Sequence, residues 1–388
     1  MSRRRMAGAT TLGAIVLVAA IAGAGPSEAR RAGSLRKPLP PVSTTVRKLA
    51  PGIKLTTIVD RRTPRRTYVL AVDPAKGASV DVVLANDVIP GLERTSSMAR
   101  RFHAVAAVNG DFGYSSGRPV HPMAIDGQLV QTSLNLGTTF ALSSDGSARI
   151  DRPVVAAVAT EADTGEVLPI GTWNGGRPDV GDLNAYTAAG GVLFGPPRNS
   201  CWATLLPSSE PSPGPDGVTT QYTVGEASCT ASAPAAGSGV VLAALPGTDE
   251  ATVLRTLTPG EAISVTWSFG RPGVVEAIGG GPMLVDAGKN VLGPCTTSVC
   301  RRNPRTAVAI RRDGHLLFVV VDGRQVKSVG MTLYELTRFL IQRGAIEAMN
   351  LDGGGSSVMV AKGKVVSRPV GGHERSVSSA IAVSIPAA

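Results

Sequence analysis

Near the carboxyl end of the chain, the run Asn350-Leu351-Asp352-Gly353-Gly354-Gly355-Ser356-Ser357 sets one carboxylate and two hydroxyls around three glycines. Ala345, Ile346, Ala348, Met349 and Leu351 precede the turn, and Val358, Met359 and Val360 follow it. That pattern reads as strand, tight loop, strand. Glycines at such a turn permit positive φ or the close approach of another group to the backbone. A carboxylate projecting from a strand end beside them is placed to act as base or nucleophile. The same string also describes a Gly-rich hairpin whose Asp and Ser bond their own backbone. Three other stretches repeat the theme: Asn109-Gly110-Asp111 after an apolar run, Gly279-Gly280-Gly281 after Ile278, and Asp322-Gly323-Arg324 after Val319 to Val321. Pro304-Arg305-Thr306 and His373-Glu374-Arg375 each stand just before an apolar run. Carboxylates, arginines and small hydroxyls at several strand ends are the ingredients of a polar pocket.

Taken in order, NGDFGY, GGGPMLVDAGK, NPRTAVAI, VVDGR, TLYEL, NLDGGGSSVMV and ERSVSSAIAV resemble the motifs of the phosphodiester glycosidase family. The resemblance covers roughly residues 100 to 385 and is strongest from 275 onward. It departs from the family where Gly113 and Tyr114 follow Phe112, and where Ser376 follows Glu374-Arg375 in place of proline. It implies an α+β fold of strand-rich sheets with a few helices, and cleavage of a sugar-1-phosphate diester at the anomeric carbon.

That reaction needs a stabilised oxocarbenium-like transition state, a nucleophile or activated water, and relief of charge on the departing phosphate. Asp352 is the first candidate for base or nucleophile, with Asp111, Asp322 and Glu374 as further carboxylates to divide acid and base tasks. Arg305 and Arg375 suit the phosphate, and Gly353, Gly354, Gly355, Ser356 and Ser357 offer N–H groups and hydroxyls to it. Asn109, Gly280 and Thr306 complete the expected binding set. No cofactor is predicted. A cluster of carboxylates also admits calcium, although no EF-hand spacing is present. A Ser-His-Asp hydrolase would need His103, His121, His315 or His373 beside Ser356 or Ser357, and no G-x-S-x-G elbow surrounds either serine. A non-catalytic module that binds phosphorylated envelope glycans through the same arginines remains the alternative.

The elements that must position these groups are short. Strand patterns fall at Leu55 to Val59, Thr67 to Val72, Ser79 to Leu84 and Ala104 to Val108, with a helix near Ser96 to Phe102, in a rhythm that suggests sheets of local connectivity. Thr332 and Glu335 form a T-x-x-E capping box that opens a helix ending at Gly344, and this helix leads straight into the strand before Asp352. Residues 67–388 form the phosphodiester glycosidase-like domain, within which roughly 150 to 270, rich in Pro, Gly, Ser and Ala, reads as an insertion or smaller lobe.

The chain has 388 residues and a net charge of +10. Residues 1 to 66 carry 14 Lys and Arg against Glu28 and Asp60, so the rest of the chain is slightly acidic. That balance, with only 4% aromatic residues, excludes a nucleic-acid face on the body. Arg3, Arg4 and Arg5 before an apolar run, then Ser27-Glu28-Ala29, predict an export signal over 1–29. A membrane anchor is the competing reading of the same run. The basic segment 30–66 reads as a linker that touches an anionic envelope or is simply solvated. In an exported chain four cysteines favour disulfides over zinc, and spacing favours Cys201 with Cys229 and Cys295 with Cys300 among three pairings.

Overall fold

The computed structural model describes residues 42–133 and 137–386. The expected export signal and residues 30–41 of the expected linker lie outside the described residues. What is described is α+β and strand-rich, with three α-helices among the described residues: Thr95–Arg101, Asp249–Thr256 and Leu333–Ile341.

One antiparallel sheet runs in the order Ser43–Ala50, Ile53–Asp60, Arg65–Val72, Leu316–Val321, Arg305–Arg311, Ala345–Asn350, Met283–Asp286, Lys289–Asn290. The expected linker to Arg66 is therefore corrected. Within it 43–50 and 53–60 are strands, the second extending the expected Leu55 to Val59, with Ile53 and Leu55 entering the core from one face and Ile58 from the other. The lysines and arginines of this segment disguise an alternating strand as a solvated tail. Local connectivity is corrected too, since Leu316–Val321 pairs with Arg65–Val72, some 250 residues earlier in the chain, with Val319 opposite Val69.

A five-stranded sheet follows the order Lys364–Val365, Met359–Ala361, Ala106–Asn109, Ser379–Ser384, Ser79–Leu84. A second five-stranded sheet holds Val274–Gly280 between Thr138–Ser143 and Met123–Ile125. One apolar core joins all three sheets through residues such as Leu70, Val108, Phe140, Ile278, Phe318 and Ile381. Phe140 meets Phe318 edge to face, with ring centroids 6.3 Å apart. Residues 156 to 268 supply a further eight-stranded sheet whose core, built on Trp173, Leu205, Leu242 and Trp267, also takes in Leu129, Ala141 and Ala277 of the second five-stranded sheet.

Local signals are met closely. Thr332 accepts from the Glu335 N–H at 3.1 Å while Glu335 accepts from the Thr332 N–H at 2.9 Å, which closes the capping box. Both expected disulfides are present, Cys201–Cys229 and Cys295–Cys300.

Candidate functional site

The glycine turn is not a hairpin. The strand Ala345–Asn350 enters it from the first sheet and Met359–Ala361 leaves it into another, with a single 3-10 turn at Gly354–Ser356 between. Asn109 fixes this crossing. Its Nδ2 donates to the Asp352 carbonyl at 2.7 Å, and its Oδ1 accepts from the Val358 N–H at 3.1 Å and the Thr306 hydroxyl at 2.7 Å. The Asp352 N–H donates to the Gly110 carbonyl at 3.1 Å and the Leu351 N–H to the Thr306 carbonyl at 2.9 Å. Asn109 and Thr306 are fully buried. They hold the turn from behind, so they position the site without lining it.

In front of the turn lies a cavity of about 260 Å³ lined by Phe112, Arg305, Arg324, Asn350, Asp352 and Arg375 together with the three glycines. Asp352 is the single carboxylate among the described lining residues. Burial raises its pKa above the usual carboxylate range, helped by the charge of Asp111 and opposed by the Ser356 hydroxyl, the Gly353 N–H and Arg375.

The glycines turn out to make room for cations. A Cβ on Gly355 would stand 2.8 Å from Arg375 Nη2, and one on Gly354, whose φ is +61°, would stand 3.3 Å from Arg324 Nη2. The N–H groups of Gly354, Ser356 and Ser357 are engaged by the carbonyls of Pro304, Gly353 and Gly354. The expected cradle of N–H groups is thus largely used by the chain itself, and arginine side chains stand where an anion would be held. Ser356 is buried, with its hydroxyl 3.5 Å from Arg375 Nη1, and Ser357 keeps a buried Oγ without a partner among the described residues.

Arg305 is 2% exposed and has no carboxylate partner among the described residues. Its Nε donates to the Met331 carbonyl at 2.9 Å and its Nη2 to the carbonyls of Val299 and Arg301 at 2.5 and 2.6 Å. Burial, reinforced by Arg324, pushes its pKa down to about 10. A buried guanidinium without a counter-ion is costly unless an anion joins it.

The other expected carboxylates are engaged elsewhere. Asp111 is 1% exposed and receives the Phe112 N–H at 2.7 Å, the His121 N–H at 2.9 Å and His121 Nδ1 at 2.6 Å. Asp322 accepts from Tyr68 Oη at 3.2 Å and from the Arg368 N–H at 2.8 Å, and burial raises its pKa to about 6. Glu374 accepts the Ser96 N–H at 2.9 Å and lines a neighbouring cavity. Gly280 packs against the Asn350 carbonyl, 2.7 Å from where a Cβ would be, and so sets the approach of two strands. No group of three or more His, Cys, Asp or Glu able to hold a metal occurs among the described residues.

Sequence reasoning missed Phe112, Arg324 and Asn350 as lining residues, although each stands inside a motif it had singled out. It also missed the Asp111–His121 pair, whose members meet across the irregular loop that the Gly113–Pro119 bridge closes.

Residues 217–384 match the family described as phosphodiester glycosidase. The resemblance seen in the motifs is borne out. Within the curated proteins, N-acetylglucosamine-1-phosphodiester alpha-N-acetylglucosaminidase of Bos taurus is 43% identical over 65 residues, which is 17% of this chain and 12% of that protein. The curated relatives first in rank are covered over only 12 to 13% of their length. Among solved structures, a hypothetical protein from Synechocystis superposes with a TM-score of 0.67 at 22% identity, over 89% of this chain and 64% of that one. A candidate exported protein of Burkholderia pseudomallei K96243 gives 0.59 at 25% identity, over 84% of this chain and 75% of that one. The phosphodiester glycosidase match includes Arg305, Arg324, Asp352 and Arg375 and begins after Asn109 and Asp111.

Proposed function

We propose that this chain is an exported hydrolase that cleaves the glycosidic bond of a sugar-1-phosphate diester in an envelope or extracellular glycoconjugate. The observation that carries the reading is the composition of the cavity, where one carboxylate, Asp352, faces three guanidinium groups, none of which forms an ion pair with a carboxylate among the described residues.

In this reading the phosphate sits on Arg305, Arg324 and Arg375, and the sugar C1 faces Asp352. The carboxylate attacks C1 itself or takes a proton from the water that does. The C1–O bond breaks with its electron pair passing to the phosphate oxygen, where the arginines stabilise the charge that develops. The leaving group is a phosphate monoester, which departs without a strong general acid, and this accounts for a cavity with one carboxylate rather than two. Asn350 Oδ1 is buried and has no partner among the described residues, and Asn350 lines the cavity as an acceptor for a sugar hydroxyl. The Arg-rich start, the two disulfides and the likeness to a candidate exported protein support export.

The single carboxylate also suits a module that binds phosphoglycans without turning them over. The test is release of reducing sugar from a panel of sugar-1-phosphate diesters. The enzyme reading expects turnover of at least one. Tight binding of phosphoglycans with no turnover of any would establish the module instead.

A further inference from the structure

Beside the Asp352 cavity lies a second, open one of about 720 Å³, whose lining includes Arg94, Gln325, Arg368, His373 and Glu374. The two cavities share a wall at two places in the chain. Arg324 lines the first and Gln325 the second, while Glu374 lines the second and Arg375 the first. Gln325 Nε2 donates to the Arg368 carbonyl at 2.8 Å, which joins two segments that line the second cavity.

The charge of the second cavity is one-sided. Neither Arg94 nor Arg368 makes an ion pair or a side-chain hydrogen bond among the described residues, although Arg368 lies within electrostatic reach of Asp322. Glu374, the one acid there, is occupied by the Ser96 N–H. Gly371 and Gly372, both at positive φ, keep that side low, and a Cβ on Gly372 would meet nothing within 4 Å. An anion that enters meets two exposed guanidiniums without side-chain partners among the described residues against the one carboxylate of Glu374, a balance that favours it.

We propose that this cavity is a subsite for a second phosphate, carried on the aglycone, so that the preferred substrate is a glycosyl phosphodiester whose aglycone is itself phosphorylated. A polymer of repeating phosphodiester units has this chemistry, and so does a diester ending in a phosphate monoester. The inference rests on the reading that the Asp352 cavity takes the scissile phosphodiester.

Calorimetry separates the two. Propyl phosphate and 1,3-propanediol bisphosphate are titrated into the wild type and into the double variant Arg94→Ala, Arg368→Ala. The bisphosphate binds the wild type at least about 10-fold tighter, and the double variant loses that preference while its affinity for propyl phosphate is unchanged. Equal affinity for the two ligands in the wild type, or an equal loss for both in the variant, overturns the subsite. Turnover of a simple alkyl diester without a bisphosphate preference removes this proposal alone, whereas the preference without turnover removes the enzyme reading alone. Extending the titration to a diphosphorylated diester distinguishes a polymer segment from a terminal monoester.

Discussion

Two regions of the molecule bury polar groups in different ways. The sheet of residues 156 to 268 buries Asn174, Asn184, Ser200 and Thr220 but no charged side chain. Asn174 is typical of it, its Nδ2 donating to the Val130 carbonyl at 2.7 Å and to Thr187 Oγ1 at 2.9 Å. The remaining sheets bury Asp111, His121, Glu276, Arg305 and Asp322. Charge is expensive to bury and stability does not require it, as the neutral lobe demonstrates. All but Glu276 lie at strand ends or in the loops beside them, and one, Arg305, lacks a carboxylate partner among the described residues. The contrast teaches that one region is built chiefly to pack, and the other accepts an electrostatic cost that the proposed function assigns to holding an anion.

The largest effect that would break this contrast comes from the core of the lobe. Leu242 is fully buried there, so Leu242→Ala should cost about 2–5 kcal/mol of stability by denaturant titration. The KM of the fraction that stays folded should not change, and a raised KM would show that the lobe helps form the site. Arg305→Lys keeps the charge but loses the fork that spans three carbonyls. It should weaken inorganic phosphate binding roughly 10-fold or more by calorimetry, with slower turnover. Unaltered phosphate binding would mean the buried guanidinium is structural.

A smaller effect should follow pH. Burial raises Glu276 to about 8 and Asp322 to about 6, from ordinary values of 4.5 and 3.8. Between the ordinary and the raised value the folded state holds a proton that the unfolded state has released, so stability declines as pH rises through that window. Their contribution is fully present below pH 4 and is lost by about pH 8. Tm should therefore fall from pH 5 to pH 8, more steeply than in Glu276→Gln. Identical slopes would deny Glu276 its part. The smallest effect concerns the loop that receives Arg305 through Val299 and Arg301. Replacing Cys295 and Cys300 with serine should raise KM about 3- to 10-fold and leave kcat near its original value, because only the seat of the guanidinium loosens. An unchanged KM would show that the loop keeps its shape without the bridge.

Much of this was legible where the signal is local. The capping box at Thr332 and Glu335 and the five-residue spacing of Cys295 and Cys300 involve neighbours in sequence, and both were read correctly. Asp352 could be placed at a strand end for the same reason. Register between distant strands could not be read. Nothing local in Arg65–Val72 states that Leu316–Val321 lies beside it, or that the two strands around the glycine turn serve different sheets. The strand Ser43–Ala50 was hidden because its outward positions include Arg47 and Lys48 and only Leu49 is buried, whereas the next strand was read in part, as Leu55 to Val59. The engagement of Glu374 by Ser96 spans 278 residues and that of Asp111 by His121 closes an irregular ten-residue loop, so neither could be read, and Asp111, Asp322 and Glu374 stayed as candidates beside Asp352 although only Asp352 lines the cavity.

The central claim is that Asp352 alone among these carboxylates acts on the substrate. Turnover of a sugar-1-phosphate diester is measured in parallel for Asp352→Asn and Glu374→Gln, with circular dichroism to verify folding and phosphate titration to verify the arginines. The account predicts that Asp352→Asn loses about 100-fold or more in kcat, retains phosphate binding, and that Glu374→Gln stays within a few-fold of wild type. Since the Asp352 pKa is raised, kcat/KM should also fall as pH drops through a value above the usual carboxylate range. A folded Asp352→Asn that turns over at the wild-type rate, or a Glu374→Gln that is equally inactive, would contradict it.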